Sequence, residues 1–263
     1  MLLDEDGLCA VHRSLGEDML PSVCRLFPRS VKMGSMAELV CSAGCEKTVE
    51  LLMRSTDPLN FISITREYNG SVPQTYHDAI QRDIMRCSAM SVMRCRSLSI
   101  YERFEELDHQ LPRRGGKSLT YDEKGVYTIA RLFITHFAET GIAIKAYGVP
   151  ALAMVDDAEQ YAKLRQKAYS LLSDMDIYFE KLIQNHMFYE QFPFTFEDRG
   201  RLESAATLFA CYAMAEFFAV CNMHDAESRE DASAKFVDAV AAAFRFAEHT
   251  DFYRNAEIFI ASL

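Results

Sequence analysis

After residue 45, apolar side chains recur at three- and four-residue steps through most of the chain, the spacing that lines one face of an α-helix. Glu46 to Met53 predicts a short helix ended by the Asp57-Pro58 turn, and Val72 to Met93 a second, carrying Ile80, Ile84, Met85 and Met93. Thr120-Tyr121-Asp122-Glu123 fits a capping box, in which the threonine oxygen and the glutamate three residues on satisfy free backbone N–H groups. Val126, Ile129, Ala130, Phe133 and Phe137 then form one stripe, with Gly141 as its stop. Asp156 or Asp157 caps the next helix. Its apolar positions Tyr161, Leu164, Ala168, Leu171, Leu172, Met175, Tyr178 and Leu182 predict one continuous helix to about Met187. Leu202 to Cys221 and Ala232 to Ala247 repeat the pattern, joined by a polar turn from Asn222 to Asp231.

Strand-like alternation is scarce, and Phe61-Ile62-Ser63-Ile64-Thr65 is its best instance, an expected small edge piece. The first 45 residues are turn-rich and poorly periodic, with Gly7, Gly16, Pro21, Pro28, Gly34 and Gly44. The predicted fold class is therefore all-α: an irregular, cysteine-containing segment over 1–45, followed by a multi-helix bundle over 46–263. A weak boundary is expected near 113–119, where Gly115-Gly116 follows Pro112-Arg113-Arg114.

Composition sharpens this picture. With 38 acidic and 28 basic side chains on 263 residues, the formal charge is −10, and 49% of residues are apolar. A chain of this length buries roughly three quarters of its unfolded surface and needs no metal or disulfide to fold. The negative balance argues against nucleic acid as a partner, because affinity for phosphate backbones comes from clustered Lys and Arg. Asp4-Glu5-Asp6 stand where a secretory signal carries positive charge, so the expected location is cytoplasmic, with no membrane partner. Ala205 to Cys221 is the most apolar stretch. Glu216 interrupts it, and it falls short of the ~20 residues that span a bilayer, so a buried central helix is expected.

The eight cysteines, in a reducing compartment, are expected to be free thiols, metal ligands or catalytic groups. Cys211 and Cys221 lie on the apolar helix as small hydrophobes. Cys87 and Cys95, flanked by Arg82, Arg86, Arg94 and Arg96, are candidates for a thiol activated by positive charge. His136 and His186 fall within or at the ends of helical stripes and are read as hydrogen-bonded packing residues. Gly116-Lys117-Ser118 resembles the end of a phosphate-binding loop, but the glycine needed five positions before Gly116 is Leu111. No glycine-rich dinucleotide loop follows a strand. Cys9, Cys24, Cys41 and Cys45 differ, because turns can bring distant thiolates around a metal or a cluster. Their irregular spacing leaves a metal site and unconnected thiols both open.

Wording around those cysteines points further. Asp4-Glu5-Asp6-Gly7-Leu8-Cys9, Leu15-Gly16-Glu17, Leu20 and Cys24-Arg25-Leu26-Phe27-Pro28-Arg29 resemble the cysteine block of the flagellin lysine-N-methylase family. Cys45-Glu46-Lys47-Thr48-Val49-Glu50-Leu51-Leu52 is similar to that family's Ser-Cys-Pro-Glu-Ala-Ala helix start, with Gly44 and Glu46 in place of its serine and proline. Asn185-His186-Met187-Phe188 with Phe192-Pro193-Phe194, and Glu248-His249, resemble its later segments. The resemblance implies S-adenosylmethionine-dependent methylation of lysine side chains on flagellin. It also implies a 4Fe-4S cluster whose ligands in this chain are Cys9, Cys24 and Cys45. Family members carry further cysteines upstream of this block, whereas the chain starts at Met1 inside it. The expectation is an N-terminally truncated member with an impaired cluster and impaired activity. No catalytic base and no donor site is legible. Two other classes stay open: a non-catalytic helical interaction module, and a structural zinc protein using Cys9, Cys24, Cys41 and Cys45.

Overall fold

The computed structural model describes residues 9–33, 37–65, 79–111, 119–194 and 204–262. Two short helices, α1 (Ala10–Leu15) and α2 (Ser22–Leu26), lead into an antiparallel hairpin, β1 (Arg29–Met33) and β2 (Ala37–Cys41). Then come α3 (Glu46–Met53), α4 (Ala79–Met93), α5 (Ile100–Gln110), α6 (Glu123–Phe137), α7 (Val149–Met154) and α8 (Ala158–Leu171). The last four are α9 (Met175–Tyr189), α10 (Ala205–Asn222), α11 (Arg229–Glu248) and α12 (Phe252–Ser262). The fold is all-α apart from that one hairpin.

The centre is α10, which packs against α5, α6, α7, α8, α11 and α12. Its residues are apolar almost all round, so a single contact face cannot bury them, and 16 of its 18 residues are buried. By length and composition it could cross a membrane, but its surroundings here are the other helices of the bundle. Its most extensive packing is against α11, where Ala239, Ala241 and Ala243, like Ala213, Ala215 and Ala219 on α10, are all buried. Aromatic side chains fill the ends. Phe104, Tyr121, Phe209 and Tyr212 form one cluster, with ring centroids 5.0 Å apart for Tyr121–Phe209 and 5.1 Å for Phe104–Phe209. Phe133 stacks on Phe252 at 4.8 Å and meets Phe259 edge-on at 5.1 Å. Each fully buried ring contributes roughly 1.5–3 kcal/mol relative to exposure.

Several sequence expectations shift at the element ends. The predicted 158–187 helix is two, α8 and α9, because the chain breaks at Leu172–Asp174, and the apolar spacing runs on across the break. Asp157 does cap α8, accepting from the Gln160 N–H at 2.9 Å. For α6 the cap is Asp122, not Thr120: its Oδ1 accepts from the Gly125 N–H at 2.7 Å. The Thr120 carbonyl comes so close to Gly125 that a Cβ there would stand 1.9 Å from it, which restricts this position to glycine. A capping box does occur at Ser99 and Glu102, opening α5. The Val72 and Leu202 helix starts lie outside the described residues, as does Gly115-Gly116. The elements before and after that glycine pair share one core, through Phe104 and Tyr121. Phe61 to Thr65 is extended but forms no strand; the hairpin lies instead in the segment read as irregular.

The hairpin is attached edgewise. In β2, Glu38 and Val40 point inward while Ala37 and Leu39 face solvent. Glu38 makes a two-pronged ion pair with Arg86 of α4, with Nη1 at 2.8 Å from Oε2. Such fork-to-carboxylate contacts fix orientation as well as distance. The Arg86 guanidinium also lies 4.7 Å above the Phe188 ring.

Candidate functional site

The bend that follows β2 is where distant parts of the chain meet. The Ser42 N–H donates to the Pro28 carbonyl at 2.7 Å, which closes the hairpin base. Ser42 Oγ donates to Glu248 Oε2 and accepts from the Gly44 N–H at 3.0 Å, and the Ala43 N–H donates to Glu248 Oε1 at 3.2 Å. From α9, Asn185 Nδ2 donates to the Cys41 carbonyl at 2.9 Å. Arg245 of α11 donates from Nε and Nη2 to the Gly44 carbonyl at 3.1 and 2.8 Å, and its backbone passes so close that a Cβ on Gly44 would sit 3.0 Å from the Arg245 Cα. The bend is thus tied to α9 and to the end of α11 by buried and half-buried polar contacts.

Behind it stands His186, fully buried, with Nδ1 3.4 Å from Glu248 Oε1 and Nε2 2.7 Å from the Tyr253 hydroxyl. Burial acts to lower the His186 pKa, but the adjacent Cys211 and the Glu248 carboxylate outweigh it and hold the imidazole above its ordinary value. As an imidazolium it donates from both nitrogens, to the carboxylate and to the phenol oxygen. Glu248, His186 and Tyr253 thus form one buried polar chain that links α9 and the end of α11 to α12. Both side chains are wholly shielded from solvent, so in this conformation they contact no external substrate.

A second buried carboxylate, Glu216 on α10, is surrounded by phenols. Oε2 accepts from Tyr101 at 3.3 Å and Tyr161 at 3.1 Å, and Oε1 accepts from Tyr169 at 2.9 Å and from Arg165 Nε at 2.9 Å. The guanidinium lies 4.0 Å over the Tyr169 ring and 5.2 Å from that of Tyr101. Burial first, and then the Glu216 charge, push the Tyr101, Tyr161, Tyr169 and Tyr212 phenols up, so all four stay protonated, and the first three donate to the carboxylate. The Tyr212 hydroxyl faces Tyr101 closely enough to influence it, without the geometry of a hydrogen bond.

The cysteines expected to hold a cluster are distributed over separate elements. Cys9 precedes α1, Cys24 lies exposed on α2, and Cys45 occupies the residue before α3. Cys41 is near Cys45: burial first, and then the charge of Cys45, raise the Cys41 thiol. Among the described residues no three or more His, Cys, Asp or Glu side chains are placed to hold a metal ion. Neither the set Cys9, Cys24 and Cys45 nor the four-cysteine zinc set is therefore gathered here. α2 has no buried side chain to draw Cys24 inward, and Cys45 is fixed by its helix. Cys87 is exposed and Cys95 half-buried, while Cys211 and Cys221 are buried in α10. His136 packs against the Phe137 and Phe259 rings.

Sequence reasoning missed Ser42 and Tyr253, and treated Glu216 only as an interruption. The available signal was an acid within an apolar run, facing Tyr161, Arg165 and Tyr169 at four-residue steps on one helix face. Comparison with protein-family models, curated proteins and solved structures finds no match.

Proposed function

We propose that the chain acts in S-adenosylmethionine-dependent N-methylation of lysine side chains on flagellin. The observation that supports this reading is spatial. Cys45–Glu46, Asn185 and His186 of α9, and Glu248 lie in stretches that carry the resemblance; Glu248 faces His186, and the Cys41–Gly44 bend that leads into Cys45 is hydrogen-bonded to Asn185 and to Glu248. Residues that serve only to fill separate parts of a core have no reason to coincide in this way. A lysine ε-ammonium, with an ordinary pKa of about 10.4, must lose a proton before it attacks a methyl group. The resemblance adds a 4Fe-4S cluster on Cys9, Cys24 and Cys45; those thiols stand on separate elements here, so the methylation reading is carried without it. The reading is tested by anaerobic reconstitution with iron and sulfide, then incubation with flagellin and S-adenosylmethionine and mass analysis of flagellin lysines. Methylated lysines that disappear with His186→Gln are expected. Unmodified flagellin with a fully reconstituted, folded protein would sink the proposal.

One observation favours a second reading, a non-catalytic module that binds flagellin. Leu15, Met19, Val23, Leu26, Val31 and Leu39 are exposed within one N-terminal stretch. Contiguous apolar exposure of this kind marks contact surfaces. Binding to flagellin that is abolished by Val23→Asp, without methylation, would select this reading.

A further inference from the structure

The strap Ser55–Leu59 is held to the bundle by cations gripping its carbonyl oxygens. Lys181 Nζ donates to the Ser55 carbonyl at 2.8 Å, Arg96 Nη1 to Thr56 at 2.8 Å and Arg94 Nη2 to Leu59 at 2.8 Å. Beneath it, Glu180 is completely buried and takes both Arg96, at 2.9 and 3.0 Å, and Arg103, at 3.1 Å. Among the described residues, four cations, Arg94, Arg96, Arg103 and Lys181, thus face two acids, Glu180 and Asp57, an excess of two positive charges. Lys181 registers that excess: burial first, and then the Arg96 charge, lower its pKa.

Donors outnumber acceptors as well. Gln184 is fully buried one turn along α9 from Lys181, and its Nε2 has no hydrogen-bond partner. Its orientation is set by chemistry, since Arg94 Nε donates to Oε1 at 2.8 Å and a flipped amide would bring two donors together. A buried N–H₂ without an acceptor has lost its water and gained nothing in exchange. Lys181 Nζ has three protons and spends one on Ser55. Residues three apart on a helix share a face, so the unspent protons of Lys181 and Gln184 lie on the same side of α9. What this corner lacks is an acceptor carrying negative charge.

We propose that the Arg94, Lys181 and Gln184 corner binds an oxyanion, the carboxylate or phosphate group of a small ligand, with the Ser55–Leu59 strap as its cover. Arg94 and Arg96 are exposed to solvent, while Lys181 and Gln184 lie buried beneath the strap, so a ligand meets Arg94 first and reaches the other two as the strap lifts. A carboxylate or phosphate oxygen accepts from several donors at once, satisfying the Gln184 amide and offsetting the surplus charge in one step. The backbone carbonyls of the strap supply only partial charges and leave both demands unmet. This assignment stands independently of the methylation proposal.

Isothermal titration at constant ionic strength tests it with two probes, inorganic phosphate and S-adenosylhomocysteine, the second presenting a carboxylate. Saturable binding of at least one probe is expected, weakened at least tenfold in Arg94→Gln and in Gln184→Leu but unchanged in Arg54→Gln, an exposed charge outside the corner. Whichever probe binds identifies the source of the oxyanion. Arg94 is exposed, so Arg94→Gln should fold, and circular dichroism verifies this. No saturable binding of either probe to the folded wild type, or equal binding by Arg94→Gln, overturns the assignment.

Discussion

Helix α10 and the stretch Cys9–Cys41 both carry many apolar side chains, and they meet opposite fates. On α10 nearly everything is buried, including the acid Glu216, because six helices surround it. On α1 and α2 nothing is buried, and Val23 is 72% exposed. The difference lies in what is available to pack against. Helices of five or six residues are too short to be stable alone, since the first turn fixes several residues for one hydrogen bond. The N-terminal layer is instead held at a few polar points: Glu38 on Arg86, Asn185 on the Cys41 carbonyl and Ser42 on Glu248. One region derives its order from burial, the other from discrete hydrogen bonds, and substitutions should separate the two.

The largest effect is expected at Phe209, which is fully buried between the Phe104, Tyr121 and Tyr212 rings. Phe209→Asp places an unpaired charge there and should cost about 4 kcal/mol or more, read by urea denaturation. A mutant as stable as wild type would remove α10 from the centre. Next comes Arg165→Ala, which leaves Glu216 buried without its counter-charge. Removing one partner of a buried pair costs ~3–5 kcal/mol. The phenols of Tyr101, Tyr161 and Tyr169 soften but do not cancel this, because they donate hydrogen bonds and carry no charge. A loss below about 1 kcal/mol would show that the phenols alone suffice.

The same contrast explains which features were legible in sequence. Stripes such as Val126, Ile129, Ala130 and Phe133 expose the period of a buried face directly, so α6 and α10 could be read nearly to their ends. The break between α8 and α9 could not, because the apolar spacing carries through Leu171, Leu172 and Met175 while the backbone turns at Asp174. The hairpin escaped for a related reason. Ser30, Val31, Lys32 and Met33 alternate polar and apolar over four residues only, too short a run to stand out, and the hairpin's attachment depends on Arg86, 48 positions from Glu38. His186 was legible as a satisfied core histidine, but its link to Ser42 and Tyr253 is purely tertiary.

A smaller effect is expected from pH. The folded-state pKa of His186 lies above its ordinary 6.5, against the pull of burial and through Cys211 and Glu248. An unfolded imidazole releases its proton near pH 6.5. The contribution of the protonated pair is therefore complete below that value and is lost as pH rises through the folded pKa. Wild-type stability should fall relative to His186→Gln as pH is raised above about 6.5. Parallel curves for the two proteins across pH 5 to 9 would mean that folding leaves the affinity of His186 for its proton unchanged, and a relative gain for wild type as pH rises would mean that it is neutral when folded.

The smallest change should come from the N-terminal layer. Val23 sits on α2, whose five residues are all exposed, so Val23→Ser removes an apolar side chain that is already largely hydrated in the folded chain. The transfer term that makes large-to-small substitutions costly is absent when the side chain has not left water. No cavity forms either, because nothing packs over it. Surface substitutions of this kind fall within about 0.5 kcal/mol, and the denaturation midpoint should stay where it is. Serine also lowers the apolar exposure of the layer, so the mutant should be no less soluble than wild type. A loss above 1 kcal/mol, by the same ~0.5 kcal/mol standard, would show that Val23 is covered in solution and that the layer packs against a surface after all.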